Sequence, residues 1–93
     1  MYAVYTEVTA DESHIEEGRA FLANQAVPMV REHGAKAAFW LAPQAGRGVS
    51  IVVFDTEDEA RNGAAPLKVG EQAGPNPDVR FTTVEVREVI ASL

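Results

Sequence analysis

Six segments follow one another along the chain in the order strand, helix, strand, strand, helix, strand. That order predicts an α+β domain with a four-stranded antiparallel sheet, the split βαβ or ferredoxin-like arrangement. A second observation extends it. The strands carry large apolar residues on both faces, yet two helices cover only one face of such a sheet. The uncovered face calls for a partner, so the pattern predicts a homodimer joined through the sheet as well as a fold.

Each element has its own signal. Tyr2 to Thr9 alternates, with Val4, Thr6 and Val8 on one face and Tyr5, Glu7 and Thr9 on the other, as a strand does. The period then changes. Asp11 or Ser13 can cap a helix, and Ser13 with Glu16 has the spacing of a capping box. Glu12, Glu16 and Glu17 crowd the first turn, where the helix dipole favours negative charge. Ile15, Leu22, Ala26, Met29, Val30 and His33 recur at helical spacing, with Phe21 at the stripe's edge. The helix runs to about His33, and Gly34 supplies a left-handed stop. Pro28 removes one backbone bond inside it and predicts a kink near Asn24.

Lys36 to Pro43 is the second strand. Gln44 to Gly48 is a turn with two glycines. Val49 to Phe54 is almost wholly apolar, which predicts burial on both faces. Two residue sets alternate over these strands: Phe39, Leu41, Ile51 and Val53 on one face, Trp40, Val52 and Phe54 on the other. Both are hydrophobic, so the pattern leaves open which set faces the helices. Thr56 and Glu59 make a capping box for a second helix, whose interior is cut by Gly63 and Pro66. It is expected to be short or broken. Gly70 to Asp78, with Gly74-Pro75-Asn76-Pro77, reads as a loop. Val79 to Ile90 is the last strand, with Thr82, Val84 and Val86 alternating against Phe81, Thr83 and Glu85.

Composition bounds the function. The 93 residues make a single domain, 1–93, with 46% hydrophobic and 24% charged residues. The net charge is −6 and the eight basic residues are scattered, which argues against nucleic acid and against an anionic membrane surface. With no cysteine, disulfides, thiolate catalysis and Cys-ligated metal are excluded. No apolar run approaches the ~18 residues of a membrane span. The opening Met1-Tyr2-Ala3-Val4-Tyr5 reads as a strand rather than a targeting signal, and a cytoplasmic protein is expected.

The opening Met-Tyr-Ala-Val strand, the long first helix with Val27-Pro28 and the hairpin running into Phe54-Asp55-Thr56-Glu57-Asp58-Glu59-Ala60 resemble the dimeric α+β barrel superfamily, as does the closing Thr83-Val84-Glu85-Val86 strand. More narrowly, they resemble small proteins grouped with antibiotic-biosynthesis monooxygenases. The resemblance spans nearly the whole chain, through architectural motifs. It implies a homodimer with two sheets face to face, and a pocket in each subunit between sheet and helices. It also implies cofactor-independent oxidation of a small aromatic or quinoid compound by O₂, with a non-catalytic dimer that binds a hydrophobic metabolite as the alternative. The haem-degrading members' pattern is not carried over. The first strand offers Tyr5-Thr6-Glu7 where they have Asn, the stretch Thr56 to Val69 has no His, and Trp40 lies one element too early.

Four residues stand out as site candidates. His14, in the first helical turn, has the chemistry of a base at a pocket mouth. Trp40, the only tryptophan, offers an aromatic wall or a core anchor. Tyr5 offers a phenol, on the face opposite Tyr2. Asn24 stands beside the predicted kink. His33 suits the negative end of the helix dipole. It lies about 28 Å along the helix from His14, too far for a shared metal within one subunit. No cofactor and no metal are expected.

Overall fold

The computed structural model describes residues 1–93. The strands are β1 (Tyr2–Thr9), β2 (Ala37–Gln44), β3 (Arg47–Phe54) and β4 (Phe81–Glu88). They form one sheet in the order β2-β3-β1-β4, and every neighbouring pair is antiparallel. Two helical arms cover one face. This is a small α+β domain, compatible with the split βαβ pattern.

The first arm is built of four pieces. A 3₁₀ turn (Glu12–His14) leads into α1 (Ile15–Phe21), a π turn (Leu22–Ala26) and α2 (Val27–Glu32). The cap differs from the expected Ser13–Glu16 box. Asp11 is the N-cap, and its carboxylate accepts from the Ser13 backbone N–H at 2.9 Å. His14 closes the box, its Nδ1 accepting from the Asp11 N–H at 3.0 Å. The Ser13 hydroxyl donates to the Asp11 carboxylate at 2.5 Å, so it is spent inside the cap rather than on a later turn. The proline's effect takes the form of the π turn. Pro28 has no N–H to offer the preceding turn, and the Val27 N–H reaches back five residues to the Leu22 carbonyl. Gly34 takes φ +92° just past the arm, as a C-terminal stop requires.

The second arm, α3 (Glu57–Ala64), carries the expected Thr56–Glu59 box. Thr56 Oγ1 accepts from the Glu59 N–H, and the Glu59 carboxylate accepts from the Thr56 N–H, each at 3.2 Å. The helix stops at Ala64, two residues before Pro66: Ala65 keeps helical dihedrals and its N–H still reaches the Arg61 carbonyl, but Pro66 has no N–H to carry the ladder further.

The arms decide the parity of the sheet. Val4, Val52 and Phe54 pack with Ala60, and Val30, Leu67 and Trp40 close around them. Phe54 keeps only 2% of its surface, a burial of about 1.5–3 kcal/mol. The helix-covered face is therefore the one bearing Val4, Thr6, Trp40, Ser50, Val52 and Phe54. Phe39 and Leu41, on the opposite face, are 59% and 55% exposed. They neighbour Ile51 and Val49 across the β2–β3 pair. The β1–β4 half of that open face is polar instead, with Tyr5 opposite Glu85 and Glu7 opposite Thr83.

The β4 alternation does not hold over its whole length. The register shifts between Glu7 and Val8: Thr83 pairs with Glu7, but Phe81 pairs with Val8. Thr82 is the extra residue, its hydroxyl donating to the Glu7 carbonyl at 3.2 Å. This bulge carries Phe81 round to the helix-covered side, against the expected parity.

Candidate functional site

Between the helix-covered sheet face, the first arm and the loop before β4 lies a cavity of about 460 Å³, within the range of small-molecule sites. Three structural devices shape it. The π turn widens the first arm beside Leu22 and Ala26, and both line the space. The β4 bulge adds Phe81 to the wall. The third is a short ribbon in the loop. The Ala73 N–H donates to Val79 and the Phe81 N–H to Glu71, at 2.8 and 3.0 Å, which holds Gly74–Asn76 over the mouth against Phe21.

The sheet floor is ordered by register. Trp40 pairs with Ser50, Ser50 with Thr6 and Thr6 with Val84, so these four form one row across all four strands. Trp40 is half-buried and supplies an aromatic wall. Thr6 and Ser50 are 4% and 7% exposed and share a hydroxyl–hydroxyl hydrogen bond. The surroundings are otherwise largely apolar: Val4, Val8, Ile15, Phe21, Val52 and Phe81.

Two of the four candidates meet here. Trp40 and His14 both line the cavity. His14 is held by its own cap: Nδ1 accepts the Asp11 N–H, so the neutral ring carries its proton on Nε2. In this arrangement the imidazole offers a donor, not a lone pair. Asn24 is exposed on the first arm and borders no part of the cavity. Tyr5 stands on the opposite sheet face, where its hydroxyl donates to Glu7 at 2.5 Å. Arg87 lies 5.5 Å from the Tyr5 ring centroid and pairs with Glu85 at 2.6 Å. His33 caps its helix, Nδ1 lying 2.8 Å from the Met29 carbonyl.

The groups with displaced acidities lie outside the cavity. The hydrogen bond to Glu7 raises the Tyr5 phenol above its ordinary value, with desolvation and the Glu7 charge adding to it. The Ser13 hydroxyl and N–H hold the Asp11 carboxyl below the usual carboxylate value, helped by nearby His14. A shallower hollow of about 320 Å³ at the hairpin tip is lined by Asp11, Glu12, Ser13 and Pro43–Gly46. The Asp11 carboxylate there is already taken by the cap. No group of three His, Asp or Glu side chains gathers at metal-binding spacing. No helix is long and apolar enough to cross a membrane.

The residues that sequence reasoning missed are the Thr6–Ser50 pair, Phe81 and the ribbon tip. Two hydroxyl residues on otherwise apolar strand faces, Thr6 between Val4 and Val8 and Ser50 before Val52 and Phe54, were a visible signal for the first. Nothing local marked the bulge that moves Phe81. No family model, curated protein or solved structure matches the chain.

Proposed function

We propose that the protein binds a small, flat aromatic or quinoid compound in the cavity between sheet and helices. The observation that carries this reading is a mainly apolar space of about 460 Å³ with an indole wall, hydroxyls on its floor and polar side chains on the first arm and loop, the composition typical of ligand sites. Trp40 stacks the ring. His14 Nε2–H and the sheet hydroxyls meet its oxygens. The test is titration of Trp40 fluorescence, the only indole signal in the chain, with a panel of two-ring phenols and quinones. Saturable quenching that is lost in a variant with Leu22→Phe filling the space, which adds no second indole, supports the reading. Linear, unsaturable quenching throughout the panel ends it.

The same reading makes the subunit one half of a dimeric α+β barrel. The strand order, the two arms on one face and the apolar Phe39–Leu41 half of the other face support it. A twofold contact covers that patch with its own copy. Native mass spectrometry distinguishes a dimer of about 20 kDa from the 10.0 kDa chain, and a clean monomer at micromolar concentration removes the barrel.

Cofactor-independent oxygenation of the bound compound is the second reading. The family resemblance favours it, and His14 is the imidazole within reach. The tautomer set by the cap weighs against it, because a base needs the lone pair that the Asp11 N–H already holds. Oxygen consumption with an electron-rich polyphenol, abolished by His14→Ala, is the result that restores this reading to first place.

A further inference from the structure

We infer that the Thr6–Ser50 pair selects ligands whose ring carries an acceptor oxygen, a carbonyl above all, and disfavours hydrocarbons of the same shape. This deepens the binding reading above and rests on it. The argument is a count of protons. Two hydroxyls own two O–H donors. One donor is spent between the two oxygens, and neither hydroxyl makes any other hydrogen bond within the protein. One O–H is therefore left over, in a place more than nine-tenths buried and on the cavity floor. A buried donor without a partner is costly, and a ligand oxygen is the group that satisfies it.

Position adds the second half. Thr6 and Ser50 are direct cross-strand partners, and Ser50 is in turn the partner of Trp40. Adjacent strands lie about 4.8 Å apart, so the donor stands beside the indole within the width of a two-ring system. A ring laid against Trp40 presents its edge to the hydroxyls. His14 donates from the opposite, helical wall. These two contacts are donors, which fits a ligand with acceptors at two edges; the other polar lining residues, Glu17, Arg19, Glu71, Gln72 and Asn76, come from the first arm and the loop before β4.

The experiment compares 1-indanone with indene, which differ chiefly by the carbonyl, in calorimetric titrations of the full chain. Either single variant, Thr6→Val or Ser50→Ala, leaves one hydroxyl with a free proton and keeps the indanone affinity within a few-fold. The double variant has no donor there. It loses indanone affinity by about tenfold, the weight of one hydrogen bond, while indene binds unchanged or tighter. Equal loss for both probes, or loss for neither, overturns the inference and leaves the cavity reading intact. Failure of both probes to bind the wild-type chain removes the cavity reading and this inference together. A measurement on the wild type alone gives a second check. The carbonyl stretch of bound 1-indanone shifts to lower frequency if the oxygen accepts a hydrogen bond, and stays at its apolar-solvent position if it does not.

Discussion

Gly63 in α3 leaves the space that the Phe54 ring fills. A Cβ at residue 63 would stand 2.9 Å from Phe54 Cζ and 3.2 Å from Cε2, closer than carbon atoms pack. The glycine looks like a flaw in the helix, since it weakens helix propensity by about 1 kcal/mol relative to alanine. Its role is tertiary. The ring it admits is among the most buried side chains of the molecule. Gly63→Ala should therefore destabilise despite the better propensity, by about 1–3 kcal/mol, the usual range for overpacking. A urea melt followed by far-UV circular dichroism checks the sign. Stabilisation would mean that the ring moves aside at little cost.

The β2–β3 hairpin turns on Ala45 and Gly46, which both have positive φ, 54° and 77°. Two such residues in a two-residue loop make a type I′ turn, whose twist matches that of the strands. Glycine enters this region freely, while alanine does so at about 1–2 kcal/mol. Ala45→Asn places the preferred Asn-Gly pair in the turn and should raise the melting temperature by several degrees. Gly46→Ala should lower it through backbone strain alone, because φ is +77° there while the space around a Cβ is open.

Much of this fold was legible in the chain, and the failures have particular causes. The Tyr2–Thr9 strand, the Thr56–Glu59 cap and the left-handed Gly34 follow from local chemistry and stand where the residues predict. Parity did not follow, because Phe39, Ile51 and Val53 are as hydrophobic as Trp40, Val52 and Phe54. It is settled only when Ala60 and Val30 close over one set. Of the two caps the chain offers, Asp11 is the one used, and its box closes on His14 rather than pairing Ser13 with Glu16, because a 3₁₀ turn precedes the α-helix. Of the site, Trp40 and His14 were legible as single residues. The row joining Trp40 to Ser50 and Thr6 was not, since it depends on register between strands far apart in sequence.

The open sheet face yields a prediction about assembly. Leu41 and Phe39 lie exposed on it, beside Val49 and Ile51. A contact of the proposed kind buries this patch, and a charge placed in it would lose its hydration without gaining a partner. Leu41→Asp should shift sedimentation from dimer to monomer while the circular dichroism spectrum is kept. Val52→Asp, on the helix-covered side, should instead abolish folding. Dimers that persist in Leu41→Asp would place the contact elsewhere on the molecule.

On the polar half of the same face, Tyr5 and Glu7 form a pair whose pH dependence has a definite sign. The Glu7 carboxylate accepts the phenolic proton and raises the Tyr5 value above 10.0; the Arg47 and Arg87 charges oppose this only in part. A raised value means that the folded chain holds the proton more tightly than the unfolded one. The stabilisation is thus complete below the unfolded value of about 10 and fades as pH climbs through the folded one. Tyr5 is only partly buried in the subunit and solvent screens the pair, so the effect on stability is small and the titration itself is the better readout. In a Tyr2→Phe background, absorbance near 295 nm reports Tyr5 alone. Its midpoint should lie above 10, and Glu7→Ala should bring it down, because the acceptor and its negative charge leave together. An unchanged midpoint would show that the Tyr5–Glu7 hydrogen bond does not persist in solution.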